Sequence, residues 1–142
     1  MGWQPDLPDG RDYTFRTPDV HRLLLSLPVR RELDQSDVVD LRRECDTEHF
    51  TDVDDQGELN ASSAFAALAA VEYFERRIAG RTYDASPLFL YQVTRCIIAK
   101  GDRSLADFGA DLRTTLKVLV QVGAPPEQYC KYNVENFGSE LS

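Results

Sequence analysis

Residues 55 to 80 read DQGELNASSAFAALAAVEYFERRIAG, and this stretch decides the fold. A polar turn ends at Asn60-Ala61, and an alanine-rich run follows in which Ala64, Leu68, Val71, Phe74, Glu75 and Ile78 recur at three or four. That spacing predicts a helix over 62–79, because it lines one face of a 3.6-residue repeat and alanine is the best helix former. Gly80 is its natural stop. Asn60 or Ser62 is expected to cap its start, since a short side-chain oxygen accepts from unpaired first-turn amides. The first half, 61–70, is apolar almost all round and is expected to be buried.

Two further helices follow. Ser86-Pro87 opens one that runs through LFLYQVTRCIIAK to Gly101, with Phe89, Leu90, Val93, Cys96 and Ile97 as its apolar stripe. A third is expected over 110–122, with Leu112, Leu116, Leu119 and Val120 inward, Gly123 as terminator and Pro125-Pro126 barring continuation. Upstream, residues 1–20 carry Pro5, Pro8 and Pro18 among aspartates and read as an extended arm anchored by Trp3, Tyr13 and Phe15. Between 20 and 33 an apolar pattern is broken by Pro28, and Val38-Val39-Asp40-Leu41 reads as a short extended segment. Residues 46–58 are nearly all charged or turn-forming, with Gly57 expected in an unusual backbone angle. The tail NVENFGSELS, 133–142, is polar and expected to fray. The sum is one mainly helical unit, α+β at most, with three principal helices and extended N-terminal segments.

Composition narrows the function. The 142 residues carry a net charge of -8, which repels phosphate backbones and anionic lipid, so neither nucleic acid nor membrane is an expected partner. The longest strongly apolar run, Ala64 to Val71, is far too short for a bilayer span, and the acidic N-terminus has no signal-peptide core, which predicts a cytoplasmic protein. Cys45, Cys96 and Cys130 are odd in number and widely spaced, and with only His21 and His49 beside them no disulfide framework, metal site or cofactor is expected.

Chemistry concentrates at the turn before the long helix, where a helix N-terminus directs unpaired amides at whatever stands there. On spacing alone, Ser62 and Ser63 are equally well cap residues and Gln56 a turn residue. Cys45 lies beside Glu44, Asp46 and Glu48, which disfavour a thiolate and are partly offset by Arg42 and Arg43. Arg76, Arg77 and Arg81 with Glu72 and Glu75 read as a solvated helix face with i,i+4 pairing, and Tyr129 and Tyr132 as aromatic packing.

Val39-Asp40-Leu41-Arg42, then a loop, then Asp55-Gln56-Gly57, a short spacer and a long helix, together resemble the signature of the papain-like cysteine peptidases. EYFERR at 72–77, DASPLFLYQVTR at 84–95 and DLRTTLKVLVQVGAPPEQY at 111–129 extend the resemblance to a bacterial branch of that family, over roughly 37–132. The resemblance implies that residues 21–142 form the helical, N-terminal half of that fold, with Gln56 at the oxyanion position and Ser62 at the nucleophile position. Serine there departs from the family's cysteine, and the family's histidine and asparagine come from a C-terminal half, whereas His21 and His49 both precede Ser62. The expectation is a catalytically inactive homologue acting as a binding protein for protein or peptide. The alternatives are a fragment or Cys-to-Ser variant of an active cysteine-type endopeptidase completed by a second chain, and a small structural subunit that forms a homodimer.

Overall fold

The computed structural model describes residues 3–26, 49–100 and 106–138. The expected extended segment at 38–41, the Val39 to Arg42 stretch, Pro28, Cys45 with its charged neighbours, Gly101 and the last four residues lie outside that set. The chain divides into two compact units, one of Met1–Asp6 with Cys45–Ser142 and one of Leu7–Glu44.

Strand β1, Trp3–Gln4, opens the first unit and pairs in parallel with β2, Ala110–Asp111, with Trp3 opposite Ala110 and Gln4 opposite Asp111. Helix α1, Pro18–Ser26, belongs to the second unit. Helix α2, Ser62–Phe74, continues into a π-helical turn, Glu75–Ala79. Helices α3, Pro87–Ile98, and α4, Leu112–Gln121, follow, and short 3-10 turns at Glu127–Tyr129 and Val134–Asn136 complete the first unit. The described chain is mainly helical.

Helices α2, α3 and α4 each pack on the other two. Their shared core is built from Leu59, Ala61, Ala64, Ala67, Leu68, Ala85, Leu88, Leu90, Tyr91, Ala110 and Val118. Alanines at 61, 64 and 67 leave little side-chain bulk at the start of α2, and the large Tyr91 and Leu88 are fully buried in the same core. Ala66, Ala69 and Ala70 lie on the outer face, so only one side of the apolar segment is buried. Val71, Phe74 and Ile78 are exposed, and Glu72 and Tyr73 are buried in their place.

Helices α3 and α4 turn other residues inward than their apolar spacing suggests. In α3, Leu88, Leu90, Tyr91, Gln92, Thr94 and Arg95 are buried, while Ile97 is exposed and Phe89, Val93 and Cys96 are only partly covered. In α4, Thr115 and Val118 are buried, Leu112 and Leu119 are half-buried, and Leu116 and Val120 face outward. The cause is that the inward polar groups are partnered, with Gln92 Oε1 the exception. Thr94 Oγ1 donates to the Leu90 carbonyl at 2.7 Å, Arg95 Nη1 to the Gly109 carbonyl at 2.8 Å, and Thr115 Oγ1 to the Asp111 carbonyl at 2.9 Å. A buried polar side chain with such a partner costs little, and apolar counting misses it.

The arm is held by polar groups, and its aromatic side chains stay outside. Trp3 is 56% exposed, and Tyr13 and Phe15 more so. Gln4 Nε2 donates to the Phe108 carbonyl at 2.7 Å, and the Arg113 guanidinium lies 3.6 Å from the Asp6 carboxylate. Pro18 does not prevent a helix here; it starts α1, where its fixed φ suits the first position and its missing N–H is not needed.

Candidate functional site

The turn from Asp55 to Ala61 is shaped by its own side chains before any long-range contact. The Gly57 amide donates to Asp55 Oδ1 at 2.8 Å, and Gly57 sits at φ 56°, where a side chain would be strained. Gln56 Nε2 donates to the Leu59 carbonyl at 3.0 Å, which closes the turn on itself.

Two partners from distant chain then clamp it. Tyr132 donates its hydroxyl to the Gln56 carbonyl at 2.7 Å and packs edge-on against Phe65, with ring centroids 4.9 Å apart. Burial, with Asp107 and Asp55 nearby, pushes the Tyr132 phenol up to about 12, so it remains a donor at neutral pH. At the other end the Asp107 carboxylate accepts from the Asn60 amide, 3.1 Å to each oxygen, and from Asn60 Nδ2 at 3.0 Å. Asp107 also accepts from the Tyr91 hydroxyl, which in turn accepts from the Gly109 amide at 3.1 Å. Burial and then the Asp107 carboxylate raise the Tyr91 phenol far above its ordinary value. Arg95 donates Nε to the Ala106 carbonyl at 3.2 Å and Nη1 to Gly109, which ties the 106–109 loop to α3.

Ser62 is the first residue of α2 and is half-buried. The N-cap is Ala61, without a side-chain cap bond, so neither Asn60 nor Ser62 caps this helix; the Asn60 side chain is turned to Asp107, to which its Nδ2 donates. Ser63 is buried with its Oγ 3.2 Å from Thr115 Oγ1, a small polar contact between α2 and α4. Gln56 and Ser62 thus stand at the two ends of one clamped turn. His49 lies elsewhere, edge-on to Tyr73 at 6.3 Å, and His21 is exposed on α1 in the other unit.

The charged face on α2 is not simply solvated. Glu72 is buried, and its Oε1 accepts from the Ala85 amide at 3.0 Å. Burial raises its carboxyl, Asp84 and Asp54 add to the shift, and the Ala85 amide and Arg76 oppose it. Arg76 reaches the Phe50 carbonyl at 2.7 Å, and Arg77 the Tyr73 hydroxyl at 3.1 Å. Tyr129 is exposed, so of the two tyrosines expected to pack, Tyr132 alone does so. The tail is docked through Phe137, which stacks on Tyr91 at 5.2 Å, and through the Asn136 carbonyl, which accepts from Gln92 Nε2 at 2.9 Å.

Asp107, Tyr91 and Arg95 are the organising residues that sequence reasoning missed, while Asn60, expected as a cap, is instead the partner of Asp107. Tyr91 and Arg95 stand at i,i+4 in an apolar helix, which is a usable signal; nothing local singles out Asp107. Among the described residues no group of histidine, cysteine, aspartate and glutamate is arranged to hold a metal, and no helix is long and apolar enough to cross a membrane. No family model matches the chain, and no curated protein matches it in sequence.

Proposed function

We propose that the chain is a non-catalytic homologue of the papain-like cysteine peptidases, a binding protein that receives an extended peptide at the 55–62 turn. One observation carries this reading: Ser62 stands at the start of the longest described helix, at the position where the resemblance puts a cysteine. A hydroxyl is much harder to ionise than a thiol, so serine attacks a carbonyl only with a positioned base. His49 is not such a base, since it packs on Tyr73, well down the helix from Ser62. Gln56, at the oxyanion position, has its amide on Leu59. What is left is a rigid turn in front of a helix N-terminus, which suits the backbone carbonyls of a bound strand.

The experiment pairs turnover with binding. Purified protein and its Ser62→Cys variant are incubated with a mixed pool of unstructured peptides. Neither is expected to cleave, because a thiol alone still lacks its imidazole, while the amide resonances of residues 56–63 are expected to shift. Cleavage blocked by a thiol-directed reagent in the single purified chain overturns the non-catalytic reading. A pool that leaves those resonances unmoved overturns the binding reading.

A further inference from the structure

Helix α2 ends in a way that builds a second surface, away from Ser62. Its last turn widens to a π-helix, and Gly80 at φ 62° closes it, with the Gly80 amide on the Arg76 carbonyl at 3.0 Å and the Arg81 amide on the Glu75 carbonyl at 3.4 Å. This pairing reverses the chain at a helix end through a left-handed glycine. Arg81, Thr82 and Tyr83 therefore run back beside Val71 and Glu75, and these residues line an open groove of about 540 Å³. The Tyr83 hydroxyl donates to the Ala124 carbonyl, so its ring is a fixed wall.

The lining is specific. Val71 and the Tyr83 ring are apolar, Glu75 and Arg81 supply opposite charges, and among the described residues neither of those two is in an ion pair. Phe74 and Ile78 stand next to them on the helix surface, 53% and 80% exposed. Large apolar side chains exposed together beside a groove mark interaction surfaces, and π-helical turns recur at functional sites even though their geometry is unfavourable. The volume lies within the range of ligand-binding clefts.

We infer that this groove docks a short extended segment of a partner protein in which an apolar side chain lies between a basic and an acidic one. The apolar side chain rests on Val71 and Tyr83, the basic one faces Glu75 and the acidic one Arg81. The inference is independent of the Ser62 reading, since it uses none of the residues of the 55–62 turn.

The test is a nuclear magnetic resonance titration of the labelled chain with three capped tripeptides, Lys-Leu-Glu, Glu-Leu-Lys and Gln-Leu-Gln. One charged peptide is expected to bind more tightly than its reverse and than the neutral peptide, shifting residues 71, 75 and 81–83. Glu75→Gln and Arg81→Gln are each expected to weaken it about twofold to fivefold, the range for exposed ion pairs. The double exchange Glu75→Arg with Arg81→Glu is expected to invert the preference between the two charged peptides, which a merely structural role for these residues does not predict. Equal binding of all three peptides, shifts confined to residues 56–63, or no shifts at about 5 mM peptide, enough to fill a site of about 1 mM Kd, overturns the inference.

Discussion

Glu72 is a carboxylate buried against the backbone, and its protonation is linked to folding. Its folded pKa is raised by burial above the unfolded value, so the folded state holds the proton more tightly than the unfolded chain does. The contribution of this group to stability is therefore greatest at acid pH and is lost as pH rises through the raised folded value. A Glu72→Gln variant keeps an oxygen for the Ala85 amide without the charge. In denaturant unfolding it is expected to be at least as stable as the parent at pH 7, with the difference shrinking as pH falls toward 4.5. A difference of constant size across that range would show that packing, and not charge, sets the behaviour of Glu72. Reading residues alone placed this side chain on a solvated face, because a glutamate four residues before an arginine on a helix usually is solvated. Its amide partner lies on the far side of a chain reversal and leaves no local trace.

At the scale of elements, the starts of α3 and α4 are capped by side chains and that of α2 is not. Ser86 Oγ accepts from the Phe89 amide at 3.1 Å and donates to the Cys130 carbonyl at 2.5 Å, and Asp111 Oδ1 accepts from the Thr114 amide at 2.7 Å. Ser86→Ala removes a cap and orphans a carbonyl, so it is expected to cost about 2 kcal/mol. Ser62→Ala removes no cap bond and is expected to change stability by about 0.5 kcal/mol or less. Thermal or denaturant unfolding of the pair checks the contrast, and an equal loss in both would mean that Ser62 does cap α2. The start of α3 and the stop after α2 were legible because they depend on neighbours in the chain, Pro87 after Ser86 and Gly80 after Ala79, whereas α1 was read as extended arm. The inward faces of the helices were not legible. Arg95 and Gln92 are buried against the Gly109 and Asn136 carbonyls, whose positions only the assembled fold supplies. The clamp at Asp107 was hidden for the same reason, its partner Asn60 being 47 residues away.

For the whole molecule, a net charge of -8 coexists with exposed apolar side chains on α4, where Val120 is 87% exposed and Leu116 and Val122 lie close by. Covering about 400 Å² of such surface at about 25 cal/mol per Å² gives about 10 kcal/mol, against an association cost of similar size. A weak dimer is the expected result, and because like charges oppose it, added salt is expected to strengthen it. Light scattering at tens of micromolar with and without salt checks this; a monomeric mass in both conditions would show that the apolar face stays open. The three helices of the first unit were legible from periodicity, but α1 was not, nor was the parallel pairing of Trp3–Gln4 with Ala110–Asp111, since two residues carry no strand signal. That pairing has a consequence for how the chain emerges during synthesis. The bond from Gln4 to Phe108 spans 104 residues, and at about 5 to 20 residues per second the ribosome needs about 5 to 20 seconds to deliver its second half. Throughout that interval the first strand to appear has nothing to join, so it is among the last pieces of its unit to find its place.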